Sequence, residues 1–146
     1  MRLISPAFTN NQNLPTEYTY EGLNINPPLI ISEVPAGAKS LALIFIDLDA
    51  LMDIWVHWLL YNINPAITRI EAGSLPEGAT PGLNSLGSNV FDGPCPATGV
   101  HRYIFKLYAL DSRLDLPPGA DKEKLEIAMR GHVVEQSQLI CLYKRK

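Results

Sequence analysis

The chain is expected to fold as an antiparallel β-sandwich, mainly β, with one short helix near its C-terminal end. Three observations carry that expectation. Residues 100–110 and 136–144 alternate with period two, the pattern of a half-buried strand and not of a helix. The run Leu41 to Ile46 is apolar on both alternating faces, as a strand covered on both sides must be. Twelve prolines and ten glycines are spread along the chain, so turns are frequent and long helices are disfavoured.

Taken in order, residues 2–30 mix single apolar positions with Pro6, Pro15, Pro27 and Pro28, which reads as short extended pieces joined by turns. Tyr18, Thr19 and Tyr20 form one candidate strand. Leu29 to Ser32 forms another and stops before Val34-Pro35-Ala36-Gly37, a turn into the strand at 40–47. A second apolar run, Trp55 to Leu60, follows across a short acidic connection and contains His57. From Asn62 to Asp92 periodicity is weak, with a short turn expected around Ile67 to Ala72. The loop Gly93-Pro94-Cys95-Pro96 is stiff, because each proline fixes its own φ and restricts the residue before it.

In 100–110, His101, Tyr103, Phe105, Leu107 and Ala109 share one side of the strand. Asp121 is placed to cap a helix running to about Arg130, with Leu125, Ala128 and Met129 as its apolar stripe and Gly131 as its stop. A last strand covers 136–144. Runs of strands followed by one helix do not match the strand-helix alternation of parallel α/β folds.

With 146 residues, 47% of them hydrophobic and 18% charged, the chain suits a single globular domain, residues 1–146, and lies far from the disordered regime. A net charge of −3, with Lys and Arg clustered only at Lys144-Arg145-Lys146, gives no general attraction for nucleic acid. Any bound anion must then be held by local donors. No signal-peptide-like apolar region follows Met1, and the longest charge-free apolar runs are strand-sized, short of the ~20 residues that span a bilayer. The expected location is the cytoplasm, with no transmembrane segment. Cys95 and Cys141 form no CxxC pair and no zinc spacing, so free thiols are the default. A homodimer is allowed by the sequence and not required by it.

Chemistry concentrates in Asp47, Asp49, His57, His101 and Tyr103: two acids at a strand end, and two histidines on apolar, strand-like segments. Imidazole and phenol donors with loop amides suit a phosphate or carboxylate, and a carboxylate behind an imidazole fixes its tautomer. A purely structural alternative stands beside this, in which Asp47 satisfies a core His57, Asp49 caps a turn and His101 begins a strand. Two histidines and a carboxylate also permit an open metal site, although their spacing specifies none. A serine hydrolase is disfavoured, since the residues around Ser85 lack the G-x-S-x-G elbow.

Several spaced motifs then coincide. Asp47-x-Asp49, Trp55-Val56-His57, Gly93-Pro94 and Gly99-Val100-His101-Arg102-Tyr103, in this order, resemble the phosphatidylethanolamine-binding proteins, also called the Raf-kinase-inhibitor-protein family. The resemblance extends through Ser5-Pro6-Ala7-Phe8, Asn26-Pro27-Pro28-Leu29, Val34-Pro35, Ser40-Leu41-Ala42 and Gly131-His132, essentially the whole chain. Gly93-Pro94-Cys95-Pro96 and the compact length look most like the prokaryotic branch. The resemblance implies a β-sandwich with a small surface pocket for an anionic, phosphorylated group. By position Asp47, His57, Gly93, Pro94, His101 and Tyr103 would line it, with Asp49 and Trp55 nearby. It implies binding without turnover, no cofactor, and, for some members, a kinase or serine protease as a docked partner. One departure stands out. Where the family usually reads Asp-Pro-Asp-x-Pro, this chain has Leu48 and Leu51, so φ is no longer pre-set in the loop before His57.

Overall fold

The computed structural model describes residues 1–146. In chain order the elements are β1 (Arg2–Ile4), β2 (Gln12–Asn13), a short 3-10 turn (Thr16–Tyr18), β3 (Leu29–Ser32), β4 (Ser40–Asp47), β5 (Trp55–Ile63), β6 (Arg69–Ile70), β7 (Thr80–Pro81), β8 (Val100–Leu110), α1 (Lys122–Met129) and β9 (Val133–Lys144). Two sheets result, β1-β3-β6 and β2-β9-β8-β4-β5-β7. All strand pairs are antiparallel except the short β2–β9 contact. The sandwich expected from the sequence is the architecture observed.

β4 lies at the centre of the larger sheet, between β5 and β8, and every one of its residues is buried. Its two faces meet different partners. Leu41, Leu43 and Phe45 join Tyr103, Phe105 and Leu107 of β8 and, from the small sheet, Leu3, Leu29, Ile31 and Ile70, forming the core between the sheets. Phe45 and Phe105 stack with centroids 3.8 Å apart. On the opposite face, Ala42, Ile44 and Ile46 pack with Leu125 and Met129 of α1. Each of these Leu, Ile, Phe and Met side chains taken fully out of water contributes about 1.5–3 kcal/mol. Burial on both faces accounts for the unbroken apolar run.

α1 begins where Asp121 accepts a hydrogen bond from Lys124 N at 2.9 Å, and it ends before Gly131, whose φ of +78° suits glycine. The strand expected at Tyr18 to Tyr20 is not formed. Pro15 sets φ at −58° and starts the 3-10 turn instead, and the Thr19 hydroxyl closes it on Thr16 O at 2.8 Å. The stretch after Asn62 holds two two-residue strands, β6 in the small sheet and β7 at the edge of the large one.

One irregularity positions the site. Phe45 pairs with Trp58 and Ile46 with Val56, so His57 is an extra residue in β5, a β-bulge. The bulge turns His57 and Trp58 to the same face, where both meet the aromatic core: His57 lies 5.6 Å from Phe45, and Trp58 lies 5.5 Å from Phe91.

Candidate functional site

At one end of the sandwich, the finish of β4 meets the beginnings of β5 and β8. Asp47 is paired with Trp55 on one side and Tyr103 on the other. His101 stands two residues before Tyr103 on β8, hence on the same face. These residues border a cavity of about 590 Å³ whose lining includes Asp47, Trp55, His57, Gly93, His101 and Tyr103. A second cavity, about 440 Å³, lies against Trp58, Phe91, Leu23 and Ile25, and no ionisable side chain lines it. The chemistry is therefore in the first.

The two imidazoles are held differently. His101 Nδ1 is 2.7 Å from Asp47 Oδ2. A carboxylate only accepts, so Nδ1 carries the hydrogen and Nε2 is the free position of that ring. Asp47 Oδ1 accepts Asp49 N at 2.8 Å, which ties the same carboxylate to the following loop. His57 does not bond Asp47. Its Nδ1 donates to the main-chain oxygen of Asp92 at 2.6 Å. His57 is only 4% exposed, and burial lowers its pKa below the ordinary histidine value, outweighing the opposite pull of the Asp92 oxygen and of the Asp92 and Asp47 charges.

His57 Nε2 and Tyr103 Oη are buried and have no hydrogen-bond partner in the chain. The two rings meet edge to face, centroids 5.4 Å apart, and the His101 ring lies 6.2 Å from Tyr103. Burial, with nearby carboxylates and thiols, pushes the Tyr103 phenol far above its usual range, so it stays neutral and able to donate.

Two of the expected site residues stand outside the lining. Asp49 turns away to Arg102, accepting its Nη2 at 2.8 Å, its Nε at 3.0 Å and its main-chain N at 2.8 Å. Those bonds hold the Asp49 carboxyl down to about 2. Pro94 is buried behind the loop and accepts Tyr20 N through its carbonyl at 3.1 Å. Gly93 is both a lining residue and a packing necessity. Its N donates to Asn24 Oδ1 at 2.6 Å, and an added Cβ would lie 2.8 Å from Thr19 Cα.

The sequence profile of the family described as Phosphatidylethanolamine-binding protein matches residues 4–144. The chain belongs to that family. A UPF0098 protein of Methanothermobacter thermautotrophicus is 49% identical to it over 150 residues, covering 99% of each chain. A UPF0098 protein of Aquifex aeolicus is 39% identical, covering 99% of this chain and 89% of its own. The crystal structure of a phosphatidylethanolamine-binding protein homolog from Chlamydia trachomatis superposes with a TM-score of 0.95 at 37% identity, covering 99% of this chain and 97% of that one. E. coli YbcL, described as a member of the mammalian PEBP family, gives 0.92 at 27% identity, covering 99% and 98%.

In this phosphatidylethanolamine-binding family member the leucine at 48 does something a proline cannot: Leu48 N donates to Arg102 O at 2.8 Å, extending the β4–β8 ladder by one bond. Leu51 and Met52, which line the cavity from the same loop, are 85% and 97% exposed. Cys95 is exposed and lines the cavity, whereas Cys141 is buried. Asp92, Asp53 and Leu86 also line it and were not among the expected site residues. Asp92 acts on His57 through a main-chain oxygen, and no side-chain type in the sequence signals that. His132 lies elsewhere, bonded to Asp111 at 2.8 Å. No three His, Cys, Asp or Glu side chains gather as a metal-binding group, and no helix is long and apolar enough to cross a membrane.

Proposed function

We propose that this chain is a non-enzymatic binding or regulatory protein that holds a small anionic, phosphorylated group in the cavity between His57 and His101. The observation that carries the reading is the pair of buried, partnerless polar atoms, His57 Nε2 and Tyr103 Oη, on residues lining one cavity. Buried polar atoms nearly always find partners, and a protonated phosphate brings both kinds: oxygens that accept from Tyr103 Oη and a P–O–H that donates to the lone pair of His57 Nε2. His101 adds its own Nε2, oriented by Asp47. Family membership supports a binding role.

The same geometry supports binding over turnover. Neither ring bonds a serine or threonine hydroxyl, and the Ser85 hydroxyl is taken up as the acceptor of Val56 N at 2.8 Å. A nucleophile-base pair of that kind is missing from the bonding around both rings.

The test is a titration with inorganic phosphate, followed by the ring resonances of His57 and His101. Both sets are expected to shift in the wild type together with the Trp55 indole and Gly93 amide resonances, and in the variant carrying His57→Ala and His101→Ala the Trp55 and Gly93 resonances should no longer respond. Unchanged spectra at millimolar phosphate would end this reading. A second reading, in which a kinase or serine protease docks at the rim, draws on exposed Leu51, Met52 and Leu86. Pull-down with competing phosphate tests it: binding indifferent to both phosphate and the histidine substitutions places any docking elsewhere.

A further inference from the structure

We infer that the second cavity is an effector site, which takes an uncharged flat ring bearing a hydrogen-bond acceptor and adjusts the His57 cavity beside it. The inference does not depend on what the first cavity binds.

The second cavity, about 440 Å³, has a size usual for small-molecule sites. Its wall is already built. Asn26 O accepts Gly73 N at 3.0 Å and Asn26 Nδ2 donates to Glu71 O at 3.0 Å, so two loops that line the cavity are tied together. Leu23, Leu75 and Val90 line it and stay exposed, giving it an apolar rim. Trp58 and Phe91 also line it, both buried, with ring centroids 5.5 Å apart and planes at 84°. Rings at right angles can offer one planar guest a face and an edge together.

Polar groups then narrow the class. Trp58 is 2% exposed, and its indole N–H donates to no group of the chain. The fully enclosed polar atoms without partners are His57 Nε2 and Tyr103 Oη, so the little of Trp58 that stays open includes that N–H. A backbone N–H only donates, so the atom Gly93 N meets at 2.6 Å is Asn24 Oδ1, and Nδ2 is left as the free end of that amide. Both free groups are donors, and the guest must accept. No Asp, Glu, Lys, Arg or His lines the cavity, so nothing replaces the hydration a charged guest would give up. A peptide strand is disfavoured as well. Trp58 is the lone lining residue that belongs to a strand, so the cavity offers no run of edge backbone.

Three lining residues each hold a member of the first cavity. Trp58 follows His57 in β5. Phe91 precedes Asp92, whose main-chain oxygen accepts His57 Nδ1 at 2.6 Å. Asn24 receives Gly93 N, and Gly93 lines the first cavity. A guest that shifts Phe91 or Asn24 therefore moves the groups that fix His57 and the Gly93 loop, and such coupling acts equally in both directions.

The experiment adds acetophenone, an uncharged ring with one carbonyl, or benzoate, its charged counterpart of nearly the same shape, to the protein in phosphate-free buffer. The indole N–H resonances of Trp58 and Trp55 and the ring resonances of His57 are followed by NMR. Acetophenone at millimolar concentration is expected to move the Trp58 N–H to lower field, as an N–H that gains an acceptor does, and to move the His57 ring along the same saturation curve. Benzoate is expected to be about tenfold or more weaker at Trp58. Leu23→Arg combined with Leu75→Arg, both at exposed positions outside the core, should abolish the Trp58 response. An unmoved Trp58, a response confined to Trp55, a Trp58 response that survives in the double variant, or benzoate equal to acetophenone at Trp58 overturns the site. A Trp58 shift with an unmoved His57 ring overturns its role as an effector site.

Discussion

Asp47 Oδ2 lies 2.7 Å from His101 Nδ1, and the other oxygen of the same carboxylate receives Asp49 N at 2.8 Å. One buried side chain thus sets a histidine tautomer and the first turn of the cavity rim together. Asp47→Asn cannot serve both: if the amide oxygen stays on His101, its NH2 group faces the Asp49 N–H. The variant should lose about 1–3 kcal/mol in urea unfolding. Its phosphate-induced shift at His101 should weaken in the same preparation.

Tyr103 is expected to show stability and binding moving apart. Its hydroxyl is buried without a partner in the chain, so Tyr103→Phe removes an unpaired polar atom. The variant should be as stable as the wild type, or more stable by up to about 1 kcal/mol. It should also bind phosphate several-fold more weakly. Thermal unfolding beside an NMR titration checks both halves, and a large loss of stability would mean the hydroxyl has a partner.

Burial places the folded pKa of His57 below its ordinary value of 6.5. Near and below that pH the unfolded chain takes up a proton that the folded ring resists, so protonation favours unfolding. The contribution is fully present above 6.5, and it declines as pH falls from there toward the depressed folded value. Urea unfolding across this range should show the decline, and His57→Asn should flatten it. An unchanged slope in the variant would assign the effect to other groups.

Gly93→Ala is expected to destabilise although it adds only one methyl group. The new Cβ would sit 2.7 Å from Asn24 Oδ1 and 2.8 and 2.9 Å from the Thr19 main chain, where backbone has to move. Overpacking of this kind costs about 1–3 kcal/mol. Because Asn24 Oδ1 also receives Gly93 N, the cavity-side loop should show faster amide exchange at 93.

The Asp49–Arg102 pair should matter little at neutral pH despite its two-toothed geometry. The side chains are 30% and 59% exposed, so solvent screens the pair and a double-mutant cycle should give a coupling close to zero. What the pair contributes is present above the ordinary aspartate value of 3.8, and it is lost as pH falls from there toward about 2. Phosphate binding should be nearly unaffected by Asp49→Ala, because Asp49 is not in the lining.

The long elements were legible because burial on one or both faces writes a period into the residues. Ser40–Asp47 and Val100–Leu110 have the bounds their patterns suggest, and α1 starts at the cap that Asp121 announces. Two-residue strands such as β6 and β7 are too short to carry a period, and the Pro15-initiated turn was hidden behind the strand-like Tyr-Thr-Tyr. At the site, residue types pointed to Asp47, His57, His101 and Tyr103, but not to who bonds whom. Either histidine could claim Asp47. Strand order decides: β8 brings Tyr103 opposite Asp47 and His101 within reach, leaving His57 to a main-chain oxygen. The bulge at His57 had no marker, since strict alternation from Trp58 and Leu60 would put that ring on the opposite face.

The two tryptophans of the chain stand in opposite surroundings. Trp55 lies on the cavity wall and is 38% exposed, whereas Trp58 is sealed against Phe91. The molecule thereby carries its own optical gauge. A collisional quencher such as iodide can reach the first indole and not the second, so the quenchable share of the native emission tracks the cavity mouth without any attached dye.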